Sequence, residues 1–233
     1  APDGSVWVAN QDDATISVVD PVEAVVRETI ALPAASQPYG IAWAPDGERV
    51  YVSLQATRQL AALSPSGQLL GTVDFPGKPR GVAVAPDSQR ILVTRFVSAP
   101  EAGTVWVVDA DFGSVRTIGL HYDLGPDTEK SGRGVPNYLT SVRISPDGRR
   151  VVVPSKKDNT ARGLYRDGQE LTFESRVRTI VSQIDLDAEA ETAGSRIALN
   201  DRDMAQAAVF SPYGDIYVAA TQGCDIFIIG NET

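Results

Sequence analysis

The chain holds one cysteine, Cys224, and one histidine, His121. A single thiol excludes an internal disulfide framework and any cysteine-rich metal site. A single imidazole excludes a zinc centre built on two or three histidines of one chain. Long apolar runs are also missing. Stretches such as Val151-Val152-Val153 end after a few residues, whereas a membrane-spanning helix needs about 20. Basic charge is scarce, with a net charge of −9 and a pI near 4.6, which argues against a general nucleic-acid binder. No G-x-x-x-x-G-K-[ST], G-x-G-x-x-G or G-x-S-x-G occurs, so phosphate loops, the dinucleotide fingerprint and the nucleophile elbow are excluded.

The 233 residues are 42% hydrophobic and 22% charged. Such a chain is too apolar for disorder and long enough to bury a core as one or two domains. Its 20 glycines and 15 prolines make turns frequent without a collagen-like period. Ala1-Pro2-Asp3-Gly4 reads as a turn, with no initiator methionine or signal-peptide pattern. Asp225 to Ile229 reads as a strand that almost ends the chain, so both ends read as cut from something longer.

One unit recurs: a small apolar run, a Pro-Asp-Gly turn, an apolar run, a polar turn and an apolar run ending in Asp. The turn stands at Pro2-Asp3-Gly4, Pro45-Asp46-Gly47, Pro86-Asp87-Ser88, Pro146-Asp147-Gly148 and Pro212-Tyr213-Gly214, at spacings of 43, 41, 60 and 66 residues. The first two spacings match the roughly 40–50-residue period of propeller blades; the last two contain insertions. Runs such as Gly40–Ala44, Gly81–Ala85, Ser141–Ser145 and Ala207–Ser211 precede the turns and read as innermost strands. Val50-Tyr51-Val52 and its counterparts follow as second strands, rich in residues that favour pleated, buried surfaces. Third runs include Ile16–Asp20, Leu60–Ser64, Val105–Asp109 and Val181–Asp185; Val25–Ile30 and Val115–Ile118 supply fourth strands. No sustained helical period appears. The pattern predicts an all-β fold, a β-propeller of four-stranded antiparallel blades forming one domain over residues 1–233. About five blade equivalents are present: three strands, three full blades, then three strands. They close a small ring or belong to a larger, seven-bladed one.

Val6-Trp7-Val8-Ala9-Asn10 followed by Thr15-Ile16-Ser17-Val18-Val19-Asp20 resembles the YVTN-type bacterial β-propeller repeat; Val50-Tyr51-Val52-Ser53 and Ile216-Tyr217-Val218-Ala219 are further copies. The fourth unit is similar to the propeller part of propeller–cytochrome c fusions, through Pro126–Glu129, Gly132–Tyr138, Pro154–Asn159, Arg162–Phe173 and Arg176–Arg178. That resemblance implies a periplasmic or extracellular bacterial protein whose partner is a c-type cytochrome domain or another electron-transfer protein. Such relatives carry Cys-x-x-Cys-His for haem. This chain lacks that motif, so no cofactor is expected in it and any haem belongs to a missing or partner domain.

Chemistry in a propeller sits on loops at the channel mouth. Two insertions fall there, residues 119–139 and 155–178, and long loops in compact folds are often functional. Residues 121–180 carry 11 Lys and Arg against 8 Asp and Glu, whereas the other 173 carry 10 against 22. Lys156, Lys157, Arg162 and Arg166 form either a basic patch for an anionic group or a solvated loop paired with Asp158, Asp167, Glu170 and Glu174. His121 is either a haem ligand or base, or a lone loop histidine. Asp123, Asp127 and Glu129 carry oxygen ligands but lack the calcium-loop spacing, so no metal site is assigned. Tyr39, Arg80 and Tyr138, with Asn137 beside it, stand at equivalent positions before inner strands and either bind a ligand at the mouth or fill it. Cys224 has no base beside it in sequence and reads as a passive thiol. The Asn231-Glu232-Thr233 sequon is read as accidental.

Three functions follow. The first is a non-catalytic module docking a partner through Tyr39, Arg80, His121, Arg133, Asn137, Tyr138, Lys156, Lys157, Arg162 and Arg166. The second is a surface-layer-like structural scaffold. The third is a lactonase-like hydrolase using Glu129, Asp127, Arg133 and His121.

Overall fold

The computed structural model describes residues 1–126, 132–159, 165–166, 169–170, 177–199, 204–220 and 225–230. Among the described residues there are strands and turns and no helix. The chain divides into two compact units, residues 1–93 with 107–115, and residues 94–106 with 116–233. The boundary runs through the third of its sheets.

In the first unit, β1 (Val6–Asn10), β2 (Thr15–Asp20) and β3 (Val25–Ala31) make a three-stranded sheet. The second sheet takes β4 (Pro38–Trp43), β5 (Val50–Leu54), β6 (Gln59–Leu63) and β7 (Leu69–Asp74) in sequential order. Ile16, Val18 and Ile30 of the first sheet, with Leu32 just after it, bury themselves against Val50, Val52, Leu54, Ala61 and Leu63 of the second. Leu54 is fully buried, and each such side chain contributes about 1.5–3 kcal/mol. The third sheet again runs in sequence: β8 (Pro79–Val84), β9 (Arg90–Arg95), β10 (Ala102–Asp109) and β11 (Val115–His121). Four strands in sequential order, repeated, are the blades of a β-propeller.

The Pro-Asp-Gly turn joins the first strand of a blade to the second, and its local chemistry repeats. The N–H of Gly47, Ser88, Gly148 and Gly214 donates to the carbonyls of Ala44, Ala85, Ser145 and Ser211 at 2.9–3.1 Å. Asp46, Asp87 and Asp147 accept from the N–H two residues on, at 2.9–3.1 Å. The third residue must adopt a positive φ: +75° at Gly47 and +58° at Ser88, where a non-glycine bears the conformation.

The second unit contains the fourth sheet, the elaborated one. β12 (Val135–Asn137) and β13 (Arg143–Ile144) share one edge of β14 (Arg150–Asp158). After a small hairpin of β15 (Tyr165–Arg166) and β16 (Gln169–Glu170) comes β17 (Val177–Asp185), paired with β14 from Arg150↔Asp185 to Asp158↔Val177. β18 (Ala190–Glu191) and β19 (Ile197–Leu199) share the far edge of β17. The last sheet is β20 (Ala205–Phe210), β21 (Ile216–Ala220) and β22 (Asp225–Ile229). Val152, Val181 and Leu199 pack on Ala205, Ala208, Ile216 and Val218 of that sheet.

Two expectations change here. The insertion expected over 155–178 is shorter, because β14 continues to Asp158 and β17 starts at Val177, so Lys156, Lys157 and Arg178 are strand residues. The inner strand expected over Ser141–Ser145 shrinks to Arg143–Ile144. The chain before it binds elsewhere: Leu139 N–H donates to the Phe96 carbonyl at 3.2 Å, and Thr94 Oγ1 donates to the Leu139 carbonyl at 2.8 Å.

Candidate functional site

Two aromatic–cation clusters stand where inner strands begin, one in each unit. In the first, the Arg80 guanidinium carbon lies 3.8 Å from the centroid of the Tyr39 ring. Arg80 Nη1 also donates to Gln55 Oε1 at 3.3 Å. The backbone beneath is tightly fixed. Ser53 Oγ accepts from Gly40 N–H at 2.8 Å and donates to the Arg80 carbonyl at 2.6 Å. A Cβ on Gly40 would sit 2.2 Å from that same carbonyl oxygen, so the strands meet only because residue 40 has no side chain. Tyr39 and Arg80, singled out separately in the sequence, are therefore one stacked pair.

In the second unit Tyr138 packs edge-on against Phe96, ring centroids 5.0 Å apart, and Lys156 Nζ lies 4.1 Å from the Tyr138 centroid. Tyr138 sits at φ +53°, a conformation that costs a non-glycine residue energy unless its surroundings impose it. Asn137 does so. It is buried, its Oδ1 accepts from both Ser98 N–H and Tyr138 N–H at 2.9 Å, and its Nδ2 donates to Asp158 Oδ2 at 2.8 Å. Ser98 Oγ closes the loop by donating to the Pro136 carbonyl at 2.6 Å. Asn137 thus holds Tyr138 in place rather than offering its amide outward.

Lys156 and Lys157, the two members of the expected basic patch whose side chains are described, do not share a face. Strand alternation sends neighbouring residues to opposite faces. Lys156 goes to the Tyr138 side and pairs with Asp158 at 3.2 Å. Lys157 turns inward, 4% exposed, and donates to Asp123 Oδ2 at 2.6 Å. Burial pushes the Lys157 ammonium below its ordinary value, and Asp123 only partly offsets this. Burial also pushes the Asp123 carboxyl up, but the hydrogen bonds from Lys157 and Gly125 N–H, with the charges of Lys157 and Arg196, outweigh it and leave it below the usual range. Asp123 is thereby committed to an ion pair. Asp127, Glu129, Arg162, Cys224 and the Asn231 sequon lie outside the described residues, as does the side chain of Arg166. Arg133 is half-buried beside Gly134. Among the described residues no group of three or more His, Cys, Asp and Glu side chains gathers to hold a metal ion.

His121 closes β11, the outer-edge strand of its sheet, rather than opening a mouth loop. Its Nδ1 lies 3.0 Å from Glu191 Oε2, and the same oxygen accepts from His121 N–H at 2.7 Å. Arg196 grips the other oxygen at 2.5 Å and donates to the His121 carbonyl at 2.8 Å. Glu191 is nearly buried while the imidazole is 79% exposed.

Sequence reasoning missed Phe96, Ser98, Gln55 and Glu191. The first three follow second strands, in the β9–β10 and β5–β6 loops, where propeller sites are expected. Glu191 carried no signal, because its partner lies 70 residues away.

No family model matches the chain, and no curated protein matches it in sequence. Its structure is similar to solved propellers. Kuenenia stuttgartiensis hydrazine synthase matches with a TM-score of 0.68 and 19% identity, over 94% of this chain and 54% of that one. The WD40 β-propeller domain of Doa1 matches with a TM-score of 0.68 and 15% identity, over 99% of this chain and 62% of that one. The β-propeller domain of Myceliophteria thermophila Cps50 (Swd1) gives 0.60 and 9%, over 93% and 58%. The chain therefore spans between about half and three-fifths of the length of these structures. At these identities the likeness is one of fold, and the fold is the β-propeller.

Proposed function

We propose that this chain is a non-catalytic propeller module that binds a protein partner through the strand-start clusters Tyr39–Arg80 and Phe96–Tyr138–Lys156. One observation carries this: each unit fixes an aromatic ring under a cation with a rigid backbone. Tyrosine and arginine are the residue types enriched at interface hot spots, and rigid aromatics bind at low entropic cost. The finer reading is a YVTN-type propeller of the bacterial periplasm whose partner is a c-type cytochrome domain, with haem held by that partner. The repeat and the fourth-unit motifs support it. The test is to isolate the native protein and follow absorbance across its elution. Co-elution with a haem Soret band is the expected result; a particle without the band overturns the cytochrome reading.

A second reading, hydrolysis of a small lactone, is favoured by the His121–Glu191 pair, in which a buried carboxylate orients an exposed imidazole. Lactone turnover lost in His121→Ala and in Glu191→Gln would support it. The absence of turnover with and without divalent cations would overturn it.

A further inference from the structure

A cleft of about 340 Å³ opens in the first unit, and neither Tyr39 nor Arg80 lines it. Trp7 of β1 and Trp43 of β4 line it together with Val18, Asp3, Arg27 and Glu28. The two indole rings stand nearly perpendicular, at 82°, with centroids 5.1 Å apart. Both are only partly buried against the core of the first two sheets. Two perpendicular aromatic walls make a corner whose ring faces carry negative quadrupole potential, and tryptophan is the strongest cation–π partner.

The charge around the corner has the matching sign. Arg27 is paired with Asp20, a 5% exposed carboxylate that also accepts from Val22 and Glu23 N–H at 2.8 and 3.0 Å. Its positive charge is therefore already met. Asp3 and Glu28 remain as the carboxylates facing the cleft. Asp3 is held below its ordinary value by hydrogen bonds from Ser5 Oγ at 2.7 Å and Ser5 N–H at 2.9 Å, so it is ionised at neutral pH.

We propose that this corner binds a small organic cation of the quaternary ammonium class, its alkyl groups against Trp7 and Trp43 and its charge met by Asp3 and Glu28. A metal ion would want more oxygen ligands at closer quarters than two carboxylates on different strands and turns, and an anion would meet the wrong sign. The cation–π attraction, the apolar contact and the two carboxylates all favour the same ligand.

The chain suits a direct test, because it has three tryptophans, each with one indole N–H to follow. Trp106, 2% exposed and outside the cleft, serves as the internal control. The chain is titrated with choline and with 3,3-dimethylbutan-1-ol, its uncharged carbon isostere, and the indole N–H resonances are followed. Choline should shift Trp7 and Trp43 saturably and leave Trp106 in place, while the isostere leaves all three in place. Glu28→Gln should weaken choline binding about fivefold. Trp7→Leu should abolish it while the Trp43 indole resonance stays dispersed as in a folded first unit, which separates a lost site from a lost fold. Equal shifts with the isostere, or no saturable shift with choline, would overturn the proposal.

Discussion

Replacing Asp123 by Asn should destabilise the protein by about 2–3 kcal/mol. Lys157 is 4% exposed and Asp123 is its ion-pair partner at 2.6 Å. The Asn side chain keeps the shape but removes the charge, leaving an ammonium buried near Arg178 and Arg196. Breaking a buried pair from one side costs about 3–5 kcal/mol. Asp123 is 31% exposed, so solvent reaches one side of the pair and the cost falls at or below the lower end of that range. For a chain of this length that lowers the thermal midpoint by about 5–10 °C. The pH dependence has a definite sign. A lysine whose folded pKa lies below its unfolded value leaves the unfolded state holding more protons between those two pH values, so stability rises with pH there. Without Asp123 the depression deepens, and the deficit of Asp123→Asn should shrink as the pH is raised towards the ordinary lysine range. In the unmutated chain the depressed Asp123 contributes stability above the ordinary carboxylate value and loses it as the pH falls, so the two proteins should converge in acid. Urea unfolding at stepped pH reads all of this. An unchanged midpoint at neutral pH, or a deficit that widens on alkalinisation, would refute the reasoning.

Three further outcomes follow from the same geometry. Gly134→Ala places a Cβ 2.5 Å from the Asp158 carbonyl oxygen, at φ +154°, and should cost at least about 2 kcal/mol in urea unfolding. Asn137→Ala removes the acceptor of the Ser98 and Tyr138 N–H groups and should cost about 2 kcal/mol, with faster hydrogen exchange at those two amides. Arg116→Ala breaks a surface pair with Glu189 at 2.9 Å and should change the unfolding free energy by no more than about 0.5–1 kcal/mol, an effect that salt reduces.

How far the sequence discloses the molecule varies along the chain. Wherever a blade is local, its text is plain: Gly40–Ala44 and Val50-Tyr51-Val52 flank a turn closed by the local backbone bonds Gly47 N–H to Ala44 and Ala44 N–H to Arg49, and β4 and β5 form there. The fourth blade hides because its contacts are distant. The inner strand breaks at Tyr138 in favour of Phe96, more than forty residues upstream, and no local pattern announces that exchange. Lys156 and Lys157 look like one basic patch when counted by charge; read by strand alternation they part to opposite faces, and that signal was present in the run of valines before them. Tyr39 and Arg80 were recognisable as equivalent positions, yet their stacking depends on Gly40 letting one backbone approach the other. The His121–Glu191–Arg196 cluster joins segments on either side of an insertion and had no counterpart in any repeat.

The account rests on docking through the two aromatic–cation clusters. The most direct measurement is the affinity of the chain for a purified c-type cytochrome, by calorimetry across a salt series, for the native chain and for Arg80→Glu with Lys156→Glu. The account predicts binding that weakens with salt, at least a tenfold loss on charge reversal and a flatter salt slope in the double variant. Affinity and salt slope unchanged by the two reversals, in a variant that keeps the native unfolding midpoint, would contradict it.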